Sequence, residues 1–140
     1  MKKNEVDAIR AFNREYILIL GILNNNMKDL DFSLTEGRVL FEINAGENII
    51  ANQLAVKLQL DRSYLNRLIN RLSHLNLIEK KNSESDHRIK ILNLTGKGHS
   101  VLKEINLQNE KMTEEIFSKF SQNELHDIIQ TMHLITNRLL

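Results

Sequence analysis

Asn52-Gln53-Leu54-Ala55-Val56-Lys57-Leu58-Gln59-Leu60-Asp61-Arg62-Ser63-Tyr64-Leu65-Asn66-Arg67-Leu68-Ile69-Asn70-Arg71-Leu72 is the stretch that orders the rest of the chain. Its first seven residues read as a short helix. Three residues later Asp61 offers an N-cap, with Leu60 and Leu65 in the staple positions around it. The helix that starts there runs from Arg62 to Leu75. It gathers Leu65, Leu68, Ile69 and Leu72 on one face and leaves Arg62, Tyr64, Asn66, Arg67, Asn70 and Arg71 elsewhere. Asn76, which tolerates the left-handed conformation, stops it. Two short helices with almost no connector are a helix-turn-helix pattern.

Downstream, Leu77–Lys81 and Ile89–Leu94 are short and rich in branched residues, and they flank the polar run Asn82-Ser83-Glu84-Ser85-Asp86-His87-Arg88. This spacing predicts a β-hairpin with a solvated tip. A further helix is expected from Thr95 to about Phe120, marked by Val101, Leu102, Ile105 and Met112. Ser121-Gln122-Asn123-Glu124, with Phe120 and Leu125 across it, is a capping box that opens a last helix. Leu125, Ile128, Ile129, Met132, Ile135 and Leu139 line its apolar side.

Upstream, Ile9, Phe12, Tyr16, Ile19, Leu20 and Leu23 recur at steps of three and four, predicting a helix from about Asn4 to Met27 that ends near Asn24-Asn25-Asn26. A second helix is expected from Leu34 to Ile43, with Thr35 as N-cap and Leu34 and Val39 as its staple, before a turn at Ala45-Gly46-Glu47-Asn48. The expected class is mainly α with a small β-hairpin. A chain of 140 residues has the usual size of one domain, taken as 1–140. The absence of Pro and the presence of only five Gly agree with long helices.

Composition excludes several functions. With no Cys, disulfides, thiolate catalysis and cysteine zinc sites are ruled out. Tyr16–Leu23 is the longest apolar run, too short for a bilayer that needs about 20 residues. Alternating charges before it do not resemble a secretory leader. No membrane association and a cytoplasmic location are therefore expected. Among the histidines, His126 and His133 share roughly one helical side but lack a third ligand, so no metal is expected, nor any cofactor. No nucleophile and base pairing or phosphate loop is present, which argues against an enzyme.

The net charge of +1 conceals an asymmetry. Leu60 to Lys103 holds nine cations against four acids, a local excess of +5. Such a block suits a phosphate-facing surface, because releasing counterions supplies most non-specific DNA affinity.

Over nearly its whole length the chain resembles the MarR family of bacterial regulators. Asp86-His87-Arg88 followed by Leu94-Thr95-Gly96-Lys97-Gly98 looks like that family's D-x-R wing tip and the L-T-x-x-G entry to its next helix. Leu54-Ala55 and Leu58 to Leu68 look like its helix-turn-helix core. Two departures stand out. Asn76 occupies a position where many members carry Gly, and Ile49 or Ile50 falls where they often carry a Ser or Thr cap.

The resemblance implies a winged helix-turn-helix lobe at about 34–95 and dimerisation helices at about 4–27 and 99–140. It implies a homodimer on double-stranded DNA, a repressor at a pseudo-palindromic operator. Arg62, Ser63, Tyr64, Asn66 and Arg67 would face the major groove, and Arg71 a phosphate. In the wing, with His87 and Lys90 beside it, Asp86 would hold Arg88 extended for the minor groove. A small, often phenolic or anionic, effector is further implied, with Phe12, Tyr16 and Arg38 as candidate lining residues. The competing reading is a protein-interaction module of the same fold without operator recognition.

Overall fold

The computed structural model describes residues 1–25 and 31–140. Its elements are α1 (Lys3–Asn25), α2 (Leu34–Ala45), α3 (Ala51–Leu58), α4 (Arg62–His74), β1 (Ile78–Asn82), β2 (Lys90–Leu94), α5 (Gly96–Phe117) and α6 (Gln122–Leu139). The order is the expected one, mainly helical with one antiparallel hairpin. The expected end of the first helix at Met27 lies outside the described residues. The chain divides into two compact units, 1–106 and 107–140.

The core of the first unit forms where the apolar faces of short elements meet. Val39, Leu40 and Ile43 of α2, Leu54 and Leu58 of α3, and Leu65, Leu68, Ile69 and Leu72 of α4 are buried together with Leu77, Ile78, Leu92, Leu102 and Ile105. Each such side chain contributes about 1.5–3 kcal/mol relative to exposure. The stripe read from Leu65 to Leu72 is thus what docks α4, and it leaves the opposite face in solvent.

The C-terminal ends of α3 and α4 are each set by a left-handed residue that is not glycine. Gln59, after α3, has φ 52° and Asn76, after α4, has φ 58°. Beyond each, an amide reaches back five residues: Leu60 N–H to Ala55 O and Leu77 N–H to Leu72 O, both 3.0 Å. These are Schellman closures, each with a leucine packing on the core behind it. Asn76 therefore fills the role expected of it. At the other end, Asp61 caps α4 by accepting from Tyr64 N–H at 2.9 Å.

The cap of α2 differs from expectation. Ser33, not Thr35, is the N-cap: its hydroxyl accepts from Glu36 N–H at 3.2 Å, and the Glu36 carboxylate accepts from Ser33 N–H at 2.8 Å. Thr35 is followed three residues on by Arg38, which cannot close a capping box, whereas Ser33 is followed by Glu36. At α3, where a hydroxyl cap is missing, Gln53 accepts from Ile50 N–H at 3.1 Å.

The hairpin pairs Ile78 with Leu94 and Asn82 with Lys90. Its strands begin one residue later than expected. A third segment joins it: Ile50 bridges to Ile91, and Leu92 N–H donates to Ile49 O at 2.9 Å. The second strand of the hairpin is thereby fixed to Ile49 and Ile50, just ahead of α3.

The start of α5 is stitched to the end of α4. The Thr95 hydroxyl accepts from Gly98 N–H at 3.0 Å and donates to Asn76 O at 2.6 Å, while Lys97 Nζ donates to Leu75 O at 3.0 Å. α5 ends at Phe117, three residues short of the expected Phe120. In the second unit, α6 opens on the expected capping box of Ser121 and Glu124. Hydrogen bonds from the Ser121 backbone and hydroxyl hold the Glu124 carboxyl below its usual value. α6 leaves Ile129, Met132, Ile135 and Leu139 exposed.

Candidate nucleic-acid interface

Docking of α4 through its leucines presents Arg62, Ser63, Asn66 and Arg67 to solvent, with Tyr64 half-buried. The Arg67 guanidinium lies over the Tyr64 ring, 5.7 Å from its centroid, which restrains a long side chain that would otherwise sample many rotamers. On the same helix Asn70 accepts from Lys80 Nζ at 3.0 Å. That contact ties α4 to β1, and nothing in the sequence pattern announced it.

At the hairpin tip Asp86 carries the geometry the sequence suggested, and more. Its carboxylate accepts from Arg88 Nε and NH2, both at 3.1 Å, a fork-to-fork pairing. It also accepts from the Arg88 backbone N–H at 3.0 Å. That third bond is an Asx turn, closed by Ile89 N–H donating to Asp86 O at 2.9 Å. One carboxylate thus shapes the backbone and orients the side chain. The Arg88 side chain is nonetheless 91% exposed. Its hydrogen bonds, first those from the side chain and then that from the backbone, hold the Asp86 carboxyl below the ordinary aspartate value. His87 is exposed beside it, and Lys90 Nζ donates across the hairpin to Asn82 Oδ1.

Arg71, expected at a phosphate, has partners within the lobe. NH1 pairs with the buried Glu36 carboxylate, and NH2 donates to Asp31 O at 3.1 Å. Sequence reading missed this pair because 35 positions separate its members.

This lobe, with its capped second helix lying polar face outward and its arginine-tipped hairpin, has known counterparts. Residues 30–89 match the model of the MarR family. Over 135 residues the chain is 32% identical to the uncharacterized HTH-type transcriptional regulator YybA of Bacillus subtilis (strain 168), covering 95% of this chain and 89% of that one. The chain belongs to the MarR family. The fold of other MarR-family structures is shared throughout. A Staphylococcus aureus MepR–DNA complex superposes with a TM-score of 0.77 at 18% identity, covering 91% of this chain and 98% of that chain. S. aureus MarR in complex with salicylate and kanamycin gives 0.82 at 19% identity, covering 99% and 93%.

In this MarR-family chain Phe12 and Tyr16 stack on one another along α1, with centroids 5.3 Å apart and planes 15° from parallel, and Arg38 is exposed on α2. A groove of about 580 Å³ lies elsewhere, against the hairpin, lined by Asn48, Ile50, Lys81, Ser83, Ile89 and Asn93 among others. Among the described residues no group of three or more His, Asp or Glu is placed to hold a metal. No helix among them is long and apolar enough to cross a membrane.

Proposed function

We propose that this chain is a DNA-binding transcriptional regulator, a repressor that binds a pseudo-palindromic operator as a homodimer. The observation that carries the reading is Arg88, held at three points by Asp86 yet almost wholly exposed at a hairpin tip. Holding an isolated surface arginine this way adds little to stability. Its value lies in presenting a preorganised guanidinium to a narrow minor groove, where negative potential is concentrated. Arg62, Ser63, Tyr64, Asn66 and Arg67 of α4 read base edges in the major groove, with His87 and Lys90 at the flanking backbone.

Two-fold symmetry places two recognition helices about 34 Å apart. The exposed apolar residues of α6, and separately Ile9, Phe12 and Ile19 of α1, are the surfaces that the dimer covers. The DNA complex of S. aureus MepR supports the nucleic-acid partner. The salicylate complex of S. aureus MarR supports a small aromatic anion as effector, for which Phe12 and Tyr16 supply rings and Arg38 a cation. The decisive experiment is selection of duplexes from a random pool, followed by a salt titration of binding. An enriched inverted repeat bound with a steep salt slope is the expected result, and a chain that enriches nothing sinks the reading.

A further inference from the structure

The Arg71–Glu36 pair is an unusual use of charge in a lobe that faces DNA. The Glu36 side chain is 6% exposed and both its oxygens are occupied: Oε2 accepts from Ser33 N–H and completes the cap of α2, while Oε1 receives Arg71 NH1 from the last turn of α4. The remaining terminal nitrogen of Arg71 donates to Asp31 O and lies 3.6 Å from the Asp31 carboxylate. The guanidinium also sits 5.9 Å from the centre of the Phe32 ring. One arginine of the recognition helix therefore grips residues 31, 32 and 36, the point where the chain enters α2.

Resting on the operator reading above, we propose that Arg71 is a positioning residue for the recognition helix and contributes no phosphate contact. Turning this guanidinium toward DNA leaves the Glu36 carboxylate buried without its counter-ion, and an unpaired buried charge costs far more than an exposed phosphate contact returns. The pair instead locks the angle of α4 against α2, with Lys80 and Asn70 fixing the same helix against the hairpin. Specificity depends on that angle, because base-edge hydrogen bonds tolerate little misplacement. Non-specific affinity depends on the number of phosphates neutralised and is indifferent to it.

The test compares Glu36→Gln, Arg71→Lys and Arg71→Ala on the duplex selected by the wild-type chain and on a mixed-sequence duplex of equal length, across a salt series. Gln at position 36 can still accept from Ser33 N–H and close the α2 capping box, but its amide NH2 then faces the Arg71 guanidinium, so that variant removes both the charge and the acceptor that hold Arg71 while sparing the cap. For a positioning residue, Glu36→Gln and Arg71→Ala each lower affinity for the selected duplex by about tenfold or more. Affinity for the mixed duplex and the slope against log salt stay unchanged, Arg71→Lys recovers part of the loss, and the double variant is no worse than the poorer single one.

The proposal is overturned if Arg71→Ala flattens the slope by about 0.9 on both duplexes while Glu36→Gln behaves as wild type. If a single variant does not fold, Glu36→Gln with Arg71→Gln, which removes both charges and can pair two amides, carries the same comparison. A wild-type chain that selects no sequence fails differently: it removes the operator reading, and this proposal with it.

Discussion

Gly98 and the carbonyl of Leu77 meet so closely that a Cβ built on Gly98 would stand 2.0 Å from the Leu77 oxygen. Gly98 does not have a positive φ, so contact and not backbone freedom fixes its identity. That oxygen also accepts from Thr95 N–H and cannot move without unpicking the junction of α4, β1 and α5. Gly98→Ala should lower stability by about 2–3 kcal/mol, as over-packing at a rigid backbone does. Gly96, two residues away with nothing within 4 Å of its Cβ position, should accept Ala with no loss. Equal melting temperatures for the two variants would contradict this assignment.

Ser33→Ala removes one half of a capping box and should cost about 1 kcal/mol in denaturant unfolding. Thr35→Ala, inside the first turn, should stay within about 0.5 kcal/mol of wild type. The reverse ranking would return the cap to Thr35.

At the hairpin tip the two partners should separate charge from posture. Arg88→Ala is expected to weaken operator binding about tenfold and to flatten its salt slope by nearly one unit. Asp86→Ala keeps the cation but frees it, so affinity should fall severalfold with the slope retained. If Asp86→Ala were harmless, the three-point hold would have no role in binding.

Protonation gives a second handle on the same carboxylate. Its pKa is depressed in the folded chain, so its contribution is complete above the ordinary aspartate value and is lost as pH falls through the lower folded value. NMR of the Asp86 carboxyl carbon should report a midpoint below that of unfolded aspartate, and Arg88→Ala should return it upward. A midpoint unmoved by Arg88→Ala would mean that the fork is not populated in solution.

Ile129→Lys and Ile135→Lys, at two exposed positions of α6, should convert the proposed dimer to a monomer in sedimentation at micromolar concentration. Burial of a charge in an apolar interface is unfavourable, whereas on a free surface it costs little. A monomeric parent chain would refute the dimer outright.

The fold was legible in the sequence wherever a local signal carried it. Asp61 and Ser121 announced their helices by capping chemistry, Asn76 by its tolerance of φ > 0, and Leu65 to Leu72 by their period. Ser33 is equally legible through Glu36, three residues on, although Thr35 lies nearer the apolar run. Contacts between distant positions left no local trace. Arg71 reads as one more cation of a basic helix until Glu36 is seen beneath it, and Ile50 reads as a faulty cap until its bridge to Ile91 is seen. The Asp86–Arg88 pair was visible because its members are two residues apart. Its backbone arm was not, because it depends on a turn that only coordinates define.

The bridge from Ile50 to Ile91 makes a caliper of this lobe. Leu92 of the hairpin is also hydrogen-bonded to Ile49 O, so the hairpin that carries Arg88 is joined to the segment that leads into α3 and α4. If Arg88 and α4 both meet one duplex as proposed, that connection limits how far their spacing can follow a change of groove width. A protein that bound as proposed would gauge the form of the DNA as well as the letters: flanking sequences that Arg88 never touches should then tune binding by setting how far one groove lies from the next.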